Sequence, residues 1–223
     1  MVSCFTLHQT FIFWHTNILK WASIRSAWST EDEMNKGLIK AWNSVVKPED
    51  TVYNLGDLAF KAGSKTAEIN AILWALNGRH VLIKGNHDDR KKIALFTSIV
   101  EFHDELILEI QGVRFLLKHY PYEHAMKESD KTERPDSFTN ARYDEKTGKL
   151  FPLIHGHVHD HFAMKKHCLN VGFDAWGRLL SEDDVISIYN DTNGFTENFE
   201  KYNEMNRANL FKPKGPNEIS PSI

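Results

Sequence analysis

His80-Val81-Leu82-Ile83-Lys84-Gly85-Asn86-His87-Asp88 decides how the rest of the chain is read. Its first half is a short apolar run with β-branched residues, which predicts a buried strand over residues 80–84. Its second half is a glycine followed by three side chains that can each take a metal or a proton. Asn, Gly and Asp are also ordinary turn residues, so the segment alone fits a plain turn as well as a site. Recurrence decides the matter. Residues 51–55 read as a strand ending in Gly56-Asp57. Residues 113–118 read as one ending in His119-Tyr120-Pro121, and residues 151–154 as one ending in His155-Gly156-His157-Val158-His159. In α/β sheets, sites form beyond the carboxyl ends of strands, so these turns are expected to converge on one pocket.

Helices fall between the strands. Thr30 with Glu33 three residues on forms a capping box, and Met34, Leu38, Ile39, Trp42, Val45 and Val46 recur at helical spacing, predicting a helix within 29–46. Further helices are expected over 69–76, stopped by Asn77-Gly78, and over 90–96. Residues 105–110 and 113–118 flank Gln111-Gly112 as a hairpin. Residues 5–14 suit a first strand, 168–171 a later one, and 185–189 a last strand closing a sheet. The charged stretch 123–149 reads as a surface loop overhanging the site. Beyond Asn190 apolar residues thin out towards Lys212-Pro213-Lys214-Gly215-Pro216. The expected organisation is therefore one α/β domain over 1–190, with a flexible, noncatalytic tail over 191–223.

The formal net charge of −3 provides no global positive field for nucleic acid or acidic membranes. Bound metal ions would supply local positive charge for a phosphate. Cys4 and Cys168 form no Cys-x-x-Cys pair, which fits reduced thiols and a cytoplasmic location. No apolar run approaches the roughly 20 residues that cross a bilayer, and the opening MVSCFTLHQTFIFWH lacks the basic region of a signal peptide. The 12 histidines are plentiful, and many gather near Asn86, near Tyr120 and between His155 and His161.

Each turn offers a definite chemistry. Gly156-His157-Val158-His159 can direct two neutral imidazoles into one site, with the glycine admitting close backbone approach; imidazole suits zinc, iron, manganese or nickel. The carboxylate of Asp57 can bridge two cations and offset their repulsion. Asn86 offers a carbonyl oxygen, and His87 beside it could donate a proton to a leaving oxygen.

In order, Gly-Asp at 56–57, Gly-Asn-His-Asp at 85–88, a strand-end His at 119 and Gly-His-x-His at 156–159 resemble the signature of calcineurin-like metallophosphoesterases. The likeness runs from about Trp14 to Tyr189. The phrases His15-Thr16-Asn17-Ile18, Glu33-Met34-Asn35, Trp42-Asn43-Ser44-Val45-Val46 and Asn170-Val171-Gly172-Phe173-Asp174-Ala175-Trp176 are similar to the small bacterial and phage branch. The resemblance implies a four-layer α/β/β/α sandwich holding two divalent ions (Mn, Fe, Zn or Ni). It implies Asp57 as the bridge, Asn86, His119 and His157 on one metal, His159 on the other, and His87 as the catalytic histidine. It further implies hydrolysis of a phosphomonoester or phosphodiester by a metal-bound hydroxide. The partner would be a small phosphorylated substrate, with nucleic acid entering only as a phosphodiester and no membrane involved.

One motif departs. The family's first strand ends in Asp-x-His, which supplies the remaining ligands of the second metal. Thr10 and Ile12 stand in those places; His8 and Gln9 are close in sequence but out of register, since a one-residue shift turns a strand side chain to the other face. The alternative expectation is therefore the same fold with an impaired second site. The break is abrupt and confined to one side of His15, as a reading-frame shift would leave it. Residues 8–15 can be encoded with a run of T from which loss of one base yields Ser-Asp-Ile-His-Phe-Trp-His, restoring Asp and His at positions 10 and 12.

Overall fold

A computed structural model describes residues 5–8, 13, 17–59, 64–126 and 138–207 of the chain. Four parallel strands, β1 (Phe5–His8), β2 (Thr51–Asn54), β3 (Arg79–Ile83) and β4 (Ile99–His103), form most of a first sheet. The second sheet contains β5 (Leu106–Ile110), β6 (Val113–Leu117), β7 (Leu153–His155), β8 (Met164–Lys165) and β9 (Cys168–Asn170). Strand β10 (Leu180–Ser181) returns to pair antiparallel with β1. The orders are β10-β1-β2-β3-β4 and β5-β6-β7-β9-β8. Helices α1 (Ile18–Trp21), α2 (Glu31–Asn43), α3 (Thr66–Ala75), α4 (Arg90–Ile93), α5 (Phe173–Trp176), α6 (Glu182–Asp191) and α7 (Phe199–Arg207) complete the framework, with 3-10 helices at Ser23–Ala27 and Glu123–Ala125.

Strand alternation builds the layers, because successive side chains face opposite ways. Val52 and Leu82 turn outward from the first sheet onto Met34, Leu38 and Trp42 of α2 and Ile69 and Leu73 of α3. Tyr53, Leu55 and Ile83 face the other way and meet Phe115, Leu117, Ile154 and Leu169 of the second sheet. Leu116, Leu153 and Cys168 on the far face lie under Tyr122, Ala125 and Phe151. This is the expected α/β/β/α sandwich. Among the described residues, its outermost layer over the second sheet is a 3-10 turn and loop rather than long helices.

Most local signals hold. Thr30 caps α2 through its side-chain oxygen, which accepts from the Glu33 amide at 3.2 Å, while Glu33 reaches back to the Ser29 amide at 3.0 Å. Gln111 and Gly112 both take positive φ, 47° and 82°, the hairpin geometry for a two-residue turn. The expected strand over 185–189 is instead helix α6. Ser181 and Asp184 form a reciprocal capping box at its start, acidic Glu182, Asp183 and Asp184 occupy its first turn, and Val185 and Ile188 are buried at helical spacing. Strand β4 has no counterpart in the sequence reading. It is an edge strand with mixed polar and apolar residues, so its periodicity is faint. Beyond Asn190, described residues continue through turns into α7, whose Tyr202 and Met205 pack on the inter-sheet core and whose Asn203 bonds the backbone of Ala163 and Met164.

The first strand is described only as β1, with Phe13 bridging Ala59. Residues 9–12, including Thr10 and Ile12, lie outside the described residues, as do 127–137 of the loop and 208–223 of the tail. No helix among the described residues is long and apolar enough to cross a membrane.

Candidate metal centre

The site forms where β2, β3, β6 and β7 end side by side. Two glycines permit the approach. Gly56 has φ +95°, and a Cβ there would fall 2.5 Å from His119 Nδ1 and 2.6 Å from the Gly85 backbone. A Cβ on Gly85 would fall 2.2 Å from Asp57 Oδ1. No real Cβ tolerates such distances, so both turns require glycine. Asp88 then ties the turns together. Its Oδ2 accepts from the amides of Asp57 at 2.7 Å and Gly85 at 2.9 Å. The His87 amide in turn donates to Asp57 Oδ1 at 2.9 Å. Asp57, His157 and His159 all adopt left-handed backbone (φ 54°, 66° and 50°). Such conformations cost on the order of 1–3 kcal/mol each and cluster at functional sites.

His119 is the hub. It is buried, and its Nδ1–H donates to the Leu55 carbonyl at 2.7 Å, which fixes the ring and turns Nε2 inward. Nε2 lies 2.9 Å from Asn86 Oδ1, 3.2 Å from His157 Nδ1 and 3.3 Å from Asp57 Oδ2. One ligand atom each from Asp57, His119 and His157 falls within 4.8 Å of the others. Tyr120 stands edge-on to both rings, 4.9 Å from His119 and 4.6 Å from His157 by centroid.

The structure thus brings Asp57, Asn86, His119 and His157 together. His87 is exposed at the rim and outside that compact group. His159, from the same turn as His157, directs Nδ1 to Asp174 Oδ2 at 2.8 Å. Three further residues matter that the sequence reading gave no role. Asp88 stands in the Gly-Asn-His-Asp motif and Asp174 in the phrase at 170–176, but nothing in the sequence singles out Arg25, which meets Asp174 from 149 positions away.

The electrostatics suit a cation. Burial alone would push the Asp57 carboxyl up. The charge and hydrogen bond of His119, with the His87 amide, outweigh it and hold Asp57 down at about 2. Burial pulls His119 down, but the Asp57 carboxylate overrides it and raises His119 above the ordinary histidine value. Burial, reinforced by the His119 charge, drives His157 down to about 3. Without metal, then, Asp57 stays anionic and His157 neutral well into the acid range, while His119 keeps its proton to higher pH than an ordinary histidine, at the point where the other donors meet. A divalent ion at that point would replace the proton. A carboxylate, two imidazoles and a carboxamide oxygen fit manganese, iron, zinc or nickel.

An α/β/β/α sandwich with a carboxylate-imidazole cluster at its strand ends defines a candidate metal-binding protein of the phosphoesterase kind. Comparison with known proteins makes the assignment specific: the profile of the calcineurin-like phosphoesterase superfamily domain matches residues 34–182, and the chain belongs to that family. The Gene 66 protein of Mycobacterium phage L5 is 34% identical over 189 residues, covering 75% of this chain and 86% of the phage protein. An uncharacterised protein of Methanocaldococcus jannaschii is 34% identical over 148 residues, 66% of this chain and 64% of that protein. A crystal structure of a protein of unknown function from Aquifex aeolicus superposes with a TM-score of 0.60 at 26% identity, covering 83% of this chain and 99% of that one.

Metal uptake should release a proton. His119 keeps its proton to higher pH than an ordinary histidine, so lowering the pH through and below the neutral range should weaken binding, while His157, already neutral, contributes nothing there. Calorimetric titration of metal-free protein with Zn²⁺ in buffers of different ionisation enthalpy should show about one proton released per first ion. Affinity that is flat with pH, with no proton release, would contradict this charge assignment.

Proposed function

We propose that the protein hydrolyses a phosphoric ester, monoester or diester, using divalent ions held at the strand ends. The observation that supports this reading is the convergence of Asp57, Asn86, His119 and His157 from separate chain segments onto one point. These four would hold one ion; Asp57 and His159 would contribute to a second. When bound, the ions would activate water and offset charge developing on the phosphoryl oxygens. The chain's own groups do the rest. The Leu55 carbonyl and Asp88 keep the donors in place before anything binds. His87, exposed and tied by its amide to Asp57, would give a proton to the departing oxygen. The substrate is a small phosphorylated molecule, or nucleic acid only in its capacity as a phosphodiester. The Cys168 thiol, pushed up to about 12 by burial, takes no part and fits the reduced thiols of a cytoplasmic protein.

The assay is turnover of an aryl phosphate and of its bis-ester with Mn²⁺ or Zn²⁺. His87→Ala should lower kcat by roughly 10²-fold or more, the scale of lost proton transfer, with metal content near that of the parent. Metal and activity falling together would make His87 a ligand instead.

A second reading follows from Thr10 and Ile12, and from the compact donor group, which includes His119 and His157 but not His159. On this reading the chain holds its first ion well and its second poorly, so turnover is low. Thr10→Asp with Ile12→His should then restore the second equivalent of metal and turnover together. Two-metal occupancy with full turnover in the unaltered chain would remove this reading, and resequencing across residues 8–15 checks the frame directly.

A further inference from the structure

Arg25 and Asp174 form an ion pair with no evident duty in the core. Arg25 is 0% and Asp174 3% exposed, and Arg25 Nε meets Asp174 Oδ1 at 2.6 Å. The guanidinium also lies 3.5 Å from Met34 Sδ and 5.6 Å over the Phe173 ring. Withdrawing two charges from water costs several kcal/mol per ion before their attraction is counted, and apolar residues of similar volume often stabilise as well or better. The pair is retained in a place where packing alone would favour apolar residues.

Its geometry supplies a use. Arg25 comes from the 3-10 helix Ser23–Ala27 and occupies one oxygen of Asp174 on α5. The other oxygen, Oδ2, faces His159 Nδ1 at 2.8 Å. A carboxylate only accepts, so Nδ1 carries the hydrogen, and in the neutral ring the lone pair is left on Nε2. The His159 side chain is 41% exposed, so packing does little to hold its ring. Its backbone is held separately, since Asn170 Nδ2 donates to the His159 carbonyl at 2.7 Å. Asn170 itself is clamped by Trp176 Nε1, which donates to its carbonyl at 2.6 Å.

We propose that Asp174, braced from behind by Arg25, is a positioning residue that locks the His159 ring in the Nδ1–H tautomer and presents Nε2 to the second metal position. Metal-binding histidines commonly hand their other ring N–H to a carboxylate in this way, and loss of that partner costs about 10–100-fold in affinity. The proposal rests on the reading of His159 as a ligand. It adds that part of the second position is prepared by a residue 149 positions from Asp174 in sequence.

The test uses the full chain, metal-free, with imidazole nitrogens observed by long-range ¹H–¹⁵N NMR. Native His159 should be the Nδ1–H tautomer. The double variant Arg25→Met/Asp174→Leu removes both charges at once and should fold; its His159 should shift towards the Nε2–H form that free imidazole side chains prefer. In Zn²⁺ titrations, the double variant should bind the second equivalent about 10–100-fold more weakly, with the first unchanged. An Nε2–H tautomer in the native protein would overturn the proposal even if the double variant fails to fold. So would an unchanged tautomer in a folded double variant. If the native protein takes no second ion, the two-ion reading fails, and the tautomer measurement still decides the role of Asp174.

Discussion

Everything at the site depends on how closely the β2 and β3 turns approach each other. Gly56 and Gly85 meet at a separation that leaves no room for a Cβ on either side. The Asp88 carboxylate draws the Asp57 and Gly85 amides onto one oxygen. A buried carboxylate without such donors would be costly; burial, with the neighbouring Asp57 charge, does push the Asp88 carboxyl above its ordinary range, and the two backbone amides pull against that rise. Because the Asp57 amide is held, its side chain is aimed, and because Asp57 is aimed, His119 finds its charge partner. The site is thus assembled by backbone before any ligand arrives.

The second sheet is tied in through His119. His119 ends β6, yet its Nδ1 donates to the carbonyl of Leu55 beside β2 in the first sheet. The two sheets are therefore registered at the metal position by a polar contact, as well as by the apolar layer of Leu55, Ile83, Phe115 and Ile154 between them. His155 shows what happens to a histidine on the same strand ends but without a charge partner. Burial drives it down to about 3, its Nδ1–H donates to the Gly156 carbonyl, and its Nε2 has no partner among the described residues. His119, which meets the Asp57 carboxylate, is raised, whereas His155, buried without one, is lowered.

Much of this was legible in the sequence, for physical reasons. Strands 51–54, 79–83 and 113–117 carry apolar runs, and their turns need glycine and polar residues whatever the rest of the chain does. The ordered motifs single out Asp57, Asn86, His119 and His157, whose side chains lie together in the fold. Val185, Ile188 and Tyr189 misled because a short apolar run has no unambiguous period; the Ser181–Asp184 cap, which decides for helix, lies outside that run. Arg25 carries no sequence signal because its partner is distant in sequence, and a lone arginine ordinarily lies at the surface. The family resemblance implies His159 as a ligand, and only the folded chain reveals the Asp174 carboxylate that meets its ring.

Donors from separate turns share one point in space. Crystals grown with Zn²⁺ and measured at its absorption edge test it directly. Anomalous density is expected about 2.0–2.2 Å from Asp57, Asn86, His119 Nε2 and His157. Zinc bound elsewhere, with the His119–His157–Asp57 cluster metal-free at saturating ion, would contradict it.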